Sequence, residues 1–164
     1  MARLIINGGN SLRGVFRPAG NKNAVLPMLA ACLLTDEPVV LRNVPLIDDV
    51  RTMLEILADL GVSVACRGHA LTLCAAGLRK CELAPGLCGR VRSSLLFAGP
   101  LLARHGRATV APPGGDVIGR RRLDTHFLGL QALGARITMG GAYTFRARRL
   151  FLPLPHPHVR VEVQ

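Results

Sequence analysis

The sequence predicts an α/β fold assembled from two copies of one strand–helix unit. Leu60-Gly61-Val62-Ser63-Val64 overlays Leu133-Gly134-Ala135-Arg136-Ile137, a period of 73 residues from Gly61 to Gly134. Each motif ends a run of helical apolar spacing and opens a run suited to strands. The same order of elements surrounds both motifs. A unit of this kind has an apolar face it cannot bury alone, so successive units are expected to pack about a shared centre.

Leu4 to Ile6 and Arg13 to Phe16 read as short strands joined by the turn signal Asn7-Gly8-Gly9-Asn10. Asn23 to Leu34 reads as a helix with Pro27 in its first turn, where a missing N–H costs little. Val39 to Leu41 is a strand. Val50 to Leu60 is a helix capped by Asp48-Asp49 and ended by Gly61. Its stripe of Val50, Met53, Leu54, Leu57 and Leu60 follows the helical period. Val62 to Ala65 and Ala70 to Leu73 then pair around Arg67-Gly68-His69. The second unit repeats this order: a helical run from Val91 to Ala103 interrupted at Gly99-Pro100, a strand from Arg107 to Val110, a helix from Asp124 to Leu133, and strands at Ala135 to Thr138 and Tyr143 to Phe145. Beyond Arg149, Phe151 to His158 is too rich in proline for a helix or central strand. His156 and His158 lack a third ligand nearby, so a metal site there is not expected.

With 164 residues, 49% of them hydrophobic, the chain can bury one ordinary core and is not disordered. No apolar run is long enough to span a bilayer, and the first residues carry no cleavage signature, so neither a membrane nor a secreted address is expected. The formal charge of +11 fits nucleic acid and phosphorylated metabolites equally well. Aromatics at 4% leave base stacking little to work with, and no nucleic-acid motif is visible. The five cysteines, Cys32, Cys66, Cys74, Cys81 and Cys88, form no CxxC pair and are expected to be reduced thiols.

Two segments stand out as chemistry. Gly20-Asn21-Lys22-Asn23-Ala24 sets a cation between two amides at a helix entry, where free N–H groups favour an anion. Lys22 is there either as an anion contact or as a solvated lysine beside an Asn cap, and Asn23 can both donate and accept. Arg90 and Arg92 precede the second helical run as Lys22 precedes the first. A cation at that end of a helix is disfavoured unless an anion offsets it. The loop Pro112 to Gly119 places Asp116 ahead of Arg120, Arg121 and Arg122, whose paired donors suit carboxylate or phosphate. Asp116 can relay a proton if its pKa rises, although the arginines push it down. Asp124 most simply caps the following helix but can also accept from a sugar hydroxyl. His126, in that helix's first turn, is either a site residue or an ordinary histidine.

Gly20 to Pro27, Arg92 to Leu102, Pro112 to His126 and Leu130 to Gly134 together resemble the enolpyruvyl transferases. The Asn-Lys-Asn-Ala entry and the Pro-Gly-Gly-x-x-Ile-Gly loop are most similar to the UDP-N-acetylglucosamine 1-carboxyvinyltransferases of cell-wall synthesis, rather than to the shikimate-pathway branch. The resemblance extends to about Leu150. It implies an inside-out α/β barrel, incomplete here: residues 21–150 hold two repeat units of a partial domain, residues 1–20 are leading strands belonging to a second domain in longer relatives, and residues 151–164 are an irregular tail. It implies a cytoplasmic, cofactor-free and metal-free transfer of the enolpyruvyl group of phosphoenolpyruvate to the 3′-hydroxyl of UDP-N-acetylglucosamine, the step that commits the sugar to peptidoglycan.

Lys22, Arg92 and Arg121 match positions that hold phosphoenolpyruvate. Asn23, Arg121, Asp124 and His126 match positions around the sugar nucleotide, with Arg122 and Leu123 in the same stretch. Asp116 stands where most members carry the mobile-loop cysteine associated with proton donation, and some carry aspartate. Family members are well over twice as long, and their catalytic base comes from the part absent here. The expectation is a site of recognisable but incomplete residues, the alternative being an inactive truncated member that acts at most as a binding or interaction protein, with uncovered edges open to self-association and no nucleic-acid or membrane partner.

Overall fold

A computed structural model describes residues 3–115 and 122–148. Helix α1 (Lys22–Ala31) starts after Asn21, whose Oδ1 accepts from the Asn23 N–H at 2.7 Å, and runs on into a 3-10 turn at Cys32–Leu34. Strand β1 (Val39–Leu41), helix α2 (Asp48–Leu60) and strands β2 (Ser63–Arg67) and β3 (Ala70–Cys74) complete the first unit. After a short helix α3 (Pro85–Cys88), the second unit runs through a 3-10 segment (Arg92–Phe97), helix α4 (Ala98–His105), strand β4 (Arg107–Val110), helix α5 (Asp124–Ala132) and strands β5 (Arg136–Met139) and β6 (Tyr143–Arg146).

The duplication is visible in the sheets. Each has three strands, in order β1-β3-β2 and β4-β6-β5, with the last strand of the unit inserted antiparallel between the other two. The two leading helical segments lie side by side and parallel: α1 packs on the 3-10 segment 92–97, and the 3-10 turn 32–34 packs on α4. Arg104 fastens that end, donating to the Leu33 carbonyl at 2.9 Å and to Asp36 at 2.6 Å. The core they share includes Leu29, Leu33, Phe97, Leu101 and Leu102. Each sheet covers it with one face, Leu71 and Leu73 from the first and Ala108, Val110 and Phe145 from the second. The leading helical segments therefore sit inside and the sheets outside, the expected inside-out arrangement of an incomplete barrel, whereas α5 buries Phe127 and leaves Leu128 exposed.

Several sequence expectations are corrected. Residues 3–20 form no strand; Leu4, Ile5, Ile6, Leu12, Val15 and Phe16 are 76–95% exposed. A strand needs a neighbour to take its backbone hydrogen bonds, and nothing in the described chain supplies one. Pro27 is the sixth residue of α1, not in its first turn, so the Asn23 carbonyl four residues back has no helical N–H to accept. Asp48 and Asp49 lie inside the first turn of α2, and Asp124 begins α5. The caps are Ile47 and Leu123, without side-chain bonds, so these carboxylates act through the helix dipole rather than as caps. No break falls at Gly99-Pro100; Pro100 sits in the first turn of α4, and the change of winding comes at Phe97–Ala98. In α2, Ile56 is buried in the stripe where Leu54 was expected, and Leu54 is only half-buried. Gly61 ends that helix in the left-handed region as expected (φ 101°).

All five cysteines are free thiols. Burial pushes the Cys32 thiol up from its ordinary 9.0 to about 11 and raises that of Cys88 as well. At pH 8 both therefore stay protonated and shielded, whereas Cys66 is exposed. A mass-resolved iodoacetamide time course is expected to modify Cys66 first and Cys32 and Cys88 last; equal rates would contradict the packing. Because the unfolded thiol ionises first, stability contributed by Cys32 is complete below pH 9 and is lost as pH rises through about 11.

Candidate functional site

The parallel packing of the two leading segments brings their N-terminal ends together. Gly20 makes this possible in the first unit. A Cβ on it would fall 1.8 Å from the Asn43 carbonyl oxygen, so only glycine lets residues 20–22 lie against the loop leading into α2. That approach places Lys22, the first residue of α1, beside Asp49 in the first turn of α2, and the two form an ion pair. Lys22 is thus neither a freely solvated lysine nor an isolated anion contact. Asp49 was missed as a site residue because only this tertiary contact turns it toward Lys22.

In the second unit Arg92 opens the 3-10 segment, and its guanidinium donates to the Arg122 carbonyl at 3.2 Å. The end of the Pro112 loop that precedes Asp116 is fixed against the same place. A Cβ on Gly114 would fall 1.7 Å from the Gly89 carbonyl oxygen, and one on Gly115 (φ 94°) would fall 3.3 Å from the Arg92 nitrogen. The Gly114 N–H donates to the Cys88 carbonyl at 2.9 Å. Helix α3, absent from the sequence reading, is the ledge on which this loop end rests.

Between Lys22 and Arg92 lies a half-open cavity of about 270 Å³. Of the sequence candidates, Lys22, Asn23, Arg92, Leu123 and His126 line it, over an apolar floor of Leu26, Leu95 and Leu96. Asp49 and Ser93 join them without having been foreseen. Arg122 and Asp124 stand just outside, paired to each other at 2.5 Å. The second Asp124 oxygen and the Ser93 hydroxyl are buried without a hydrogen-bond partner among the described residues. Asp116, Arg120 and Arg121 lie outside the described residues, as does the tail with His156 and His158. Arg90, the other cation before this run, pairs with Glu55 instead.

Two cations, one carboxylate and helical N-termini from both units thus converge on a small polar cavity with an apolar base. Such an arrangement takes an anion and orients an attached hydroxylated group. Among the described residues no group of three His, Cys, Asp or Glu is placed to hold a metal. No described helix is long and apolar enough to cross a membrane.

Residues 6–148 match the model of the family described as EPSP synthase (3-phosphoshikimate 1-carboxyvinyltransferase). The UDP-N-acetylglucosamine 1-carboxyvinyltransferase of Treponema pallidum is 53% identical over 146 residues, 88% of this chain and 34% of that protein. The enzyme of that name from Bradyrhizobium diazoefficiens is 49% identical over 147 residues, 89% of this chain and 34% of that protein. The crystal structure of the enolpyruvyl transferase NikO from Streptomyces tendae superposes with a TM-score of 0.71 at 28% identity, covering 87% of this chain and 32% of its own. The chain therefore belongs to the EPSP synthase family of carboxyvinyl transferases. It spans about a third of the length of the curated relatives it matches.

Proposed function

We propose that the chain carries the substrate-gripping part of an enolpyruvyl-transfer site for phosphoenolpyruvate and UDP-N-acetylglucosamine, the step that commits the sugar nucleotide to peptidoglycan in the cytoplasm. The observation that carries this reading is the convergence of Lys22, Asn23, Arg92, Leu123 and His126 on one cavity. In the reaction the sugar 3′-oxygen bonds to C2 of phosphoenolpyruvate while a proton goes to C3. Loss of a C3 proton and cleavage of the C2–O bond to phosphate then leave the enol ether and inorganic phosphate.

The chain's own residues answer to the charge in these steps. Lys22 and Arg92 neutralise the phosphate and carboxylate, and an incoming anion competes with Asp49 for the Lys22 ammonium. Asn23, Leu123, Asp124 and His126 orient the sugar nucleotide, helped by Arg122. By the family resemblance Arg121 adds a further cation and Asp116 delivers the proton to C3. The same resemblance places the base that deprotonates the 3′-hydroxyl outside this chain.

Stabilising the developing charge requires donors on both sides of a closed cleft. The chain by itself is expected to release almost no phosphate from phosphoenolpyruvate in the presence of UDP-N-acetylglucosamine. Addition of the remaining two-thirds of a close relative as a separate chain is expected to raise turnover well above either part. Full turnover by this chain alone would refute the incompleteness.

The exposed apolar residues of 3–20 favour a second property, self-association through uncovered surface. A compact monomer in light scattering at high concentration would exclude it.

A further inference from the structure

A larger cavity, about 800 Å³, lies at the opposite end of the second unit. It is lined by Arg107, Arg136, Arg146 and Arg148 with the small residues Gly106, Gly134 and Ala147. Arg92 and Gly106 stand at the two ends of one continuous helical segment, so the two cavities are roughly 20–25 Å apart at about 2.0 Å per 3-10 residue and 1.5 Å per α-helical residue.

The sheet register builds this cluster. Arg107 pairs with Arg146, and Arg146 with Arg136, so three arginines stand directly across three neighbouring strands. Direct cross-strand partners share a face, and here it is the outer one, because Ala108, Phe145 and Ile137 turn the other way, inward. Neighbouring guanidiniums are thus about one strand spacing, roughly 4.8 Å, apart at their bases. The next outward row is Thr109, Thr144 and Thr138, which brings no carboxylate.

Like charges directly opposite one another destabilise a sheet. One carboxylate offsets the row: Glu82 accepts from Arg107 at 2.9 Å. Arg136, Arg146 and Arg148 have no acidic partner among the described residues. The carbonyl ends of α4 and α5 reach this cleft and favour cations, but each is worth about half a charge and fades within a turn. Four guanidiniums against that leave a cleft with a clear positive excess.

We propose that this cleft binds a compact oligophosphate, with adjacent phosphate groups each gripped by the paired donors of neighbouring arginines. Planar forks at strand spacing suit linked phosphates better than a single small anion. Nothing in the enolpyruvyl-transfer reading uses these residues.

The test titrates inorganic tripolyphosphate into the Arg92→Ala chain by calorimetry at low salt, so that the cavity of Lys22 and Arg92 contributes little. Saturable binding of one tripolyphosphate per chain is expected. Arg136→Ala with Arg146→Ala is expected to weaken it about a hundredfold, roughly tenfold for each charge-assisted contact removed. Without anion the same double variant should melt no lower than its parent, because like-charge repulsion is relieved. The Arg136→Lys, Arg146→Lys pair keeps the charge but not the forks, and is expected to lose about tenfold. Unchanged affinity in both double variants, or an equal response to sulfate at matched ionic strength, would overturn the proposal. Phosphoenolpyruvate binding to the otherwise native chain should be untouched by the double variants, which separates failure here from failure of the proposed function.

Discussion

Replacing Lys22 with alanine is expected to weaken binding of phosphoenolpyruvate to the chain about thirtyfold, equivalent to roughly 2 kcal/mol for one charge-assisted contact. Two effects act together. The substitution removes a cation from the cavity and leaves the Asp49 carboxylate, its ion-pair partner, facing the incoming anion. Both side chains are more than a third exposed, so water screens part of each term and the estimate stays at the low end. Asp49→Asn alone is expected to improve binding a few-fold, because Lys22 no longer divides its charge. The double variant should recover part of what Lys22→Ala loses. Calorimetric titration of the four proteins closes the cycle. An unchanged affinity in Lys22→Ala would remove Lys22 from the site, and strictly additive effects would mean that Asp49 does not act through the Lys22 charge.

Much of the fold was legible because local signals agreed with the tertiary arrangement. The α2 stripe, the left-handed Gly61 and the two strand pairs all pointed to one repeated unit, and both sheets have the same strand order. What failed had its deciding partner elsewhere. The Leu4–Ile6 and Arg13–Phe16 patterns are good strand patterns, but pattern alone supplies no neighbour for their backbone groups. Helix α3 carries only four residues and no periodicity, so Pro85 at its start and Gly89 after its end are too little to announce it. The break expected at Gly99-Pro100 failed because proline is tolerated in the first turn of a helix, and α4 begins just before it.

The site divides along the same line. Lys22, Asn23, Arg92, Leu123 and His126 were identifiable from helix entries and family resemblance, and one cavity gathers them. Asp49 and Ser93 were not. The first reads as an ordinary acidic helix start until Gly20 closes on Asn43, and the second becomes notable only as a buried hydroxyl without a partner. The arginine row likewise spans Arg107, Arg136 and Arg146, residues whose adjacency exists only through strand register.

Gly114→Ala is expected to cost about 3 kcal/mol of stability, at the upper end for forcing extra volume into a packed position. The reason is the kind of atom in the way. The new Cβ would fall 1.7 Å from the Gly89 carbonyl oxygen and 2.5 Å from its carbon, backbone atoms that no rotamer change can move aside. Relief requires the 112–115 segment to lift off α3, which also breaks the Gly114 N–H bond to Cys88. The effect then reaches the site, because the lifted segment no longer rests against Arg92 and the start of its 3-10 turn. Gly115→Ala is the useful contrast. Its Cβ would meet the Arg92 nitrogen at 3.3 Å, tight but not overlapping, and the left-handed backbone (φ 94°) adds about 1–2 kcal/mol. Urea denaturation should therefore rank Gly114→Ala well below Gly115→Ala, with both below the parent. Phosphoenolpyruvate affinity should fall in Gly114→Ala even where the protein remains folded. Parental stability in Gly114→Ala would mean that the loop end does not rest on α3, and the placement of Arg92 beside it would have to be abandoned.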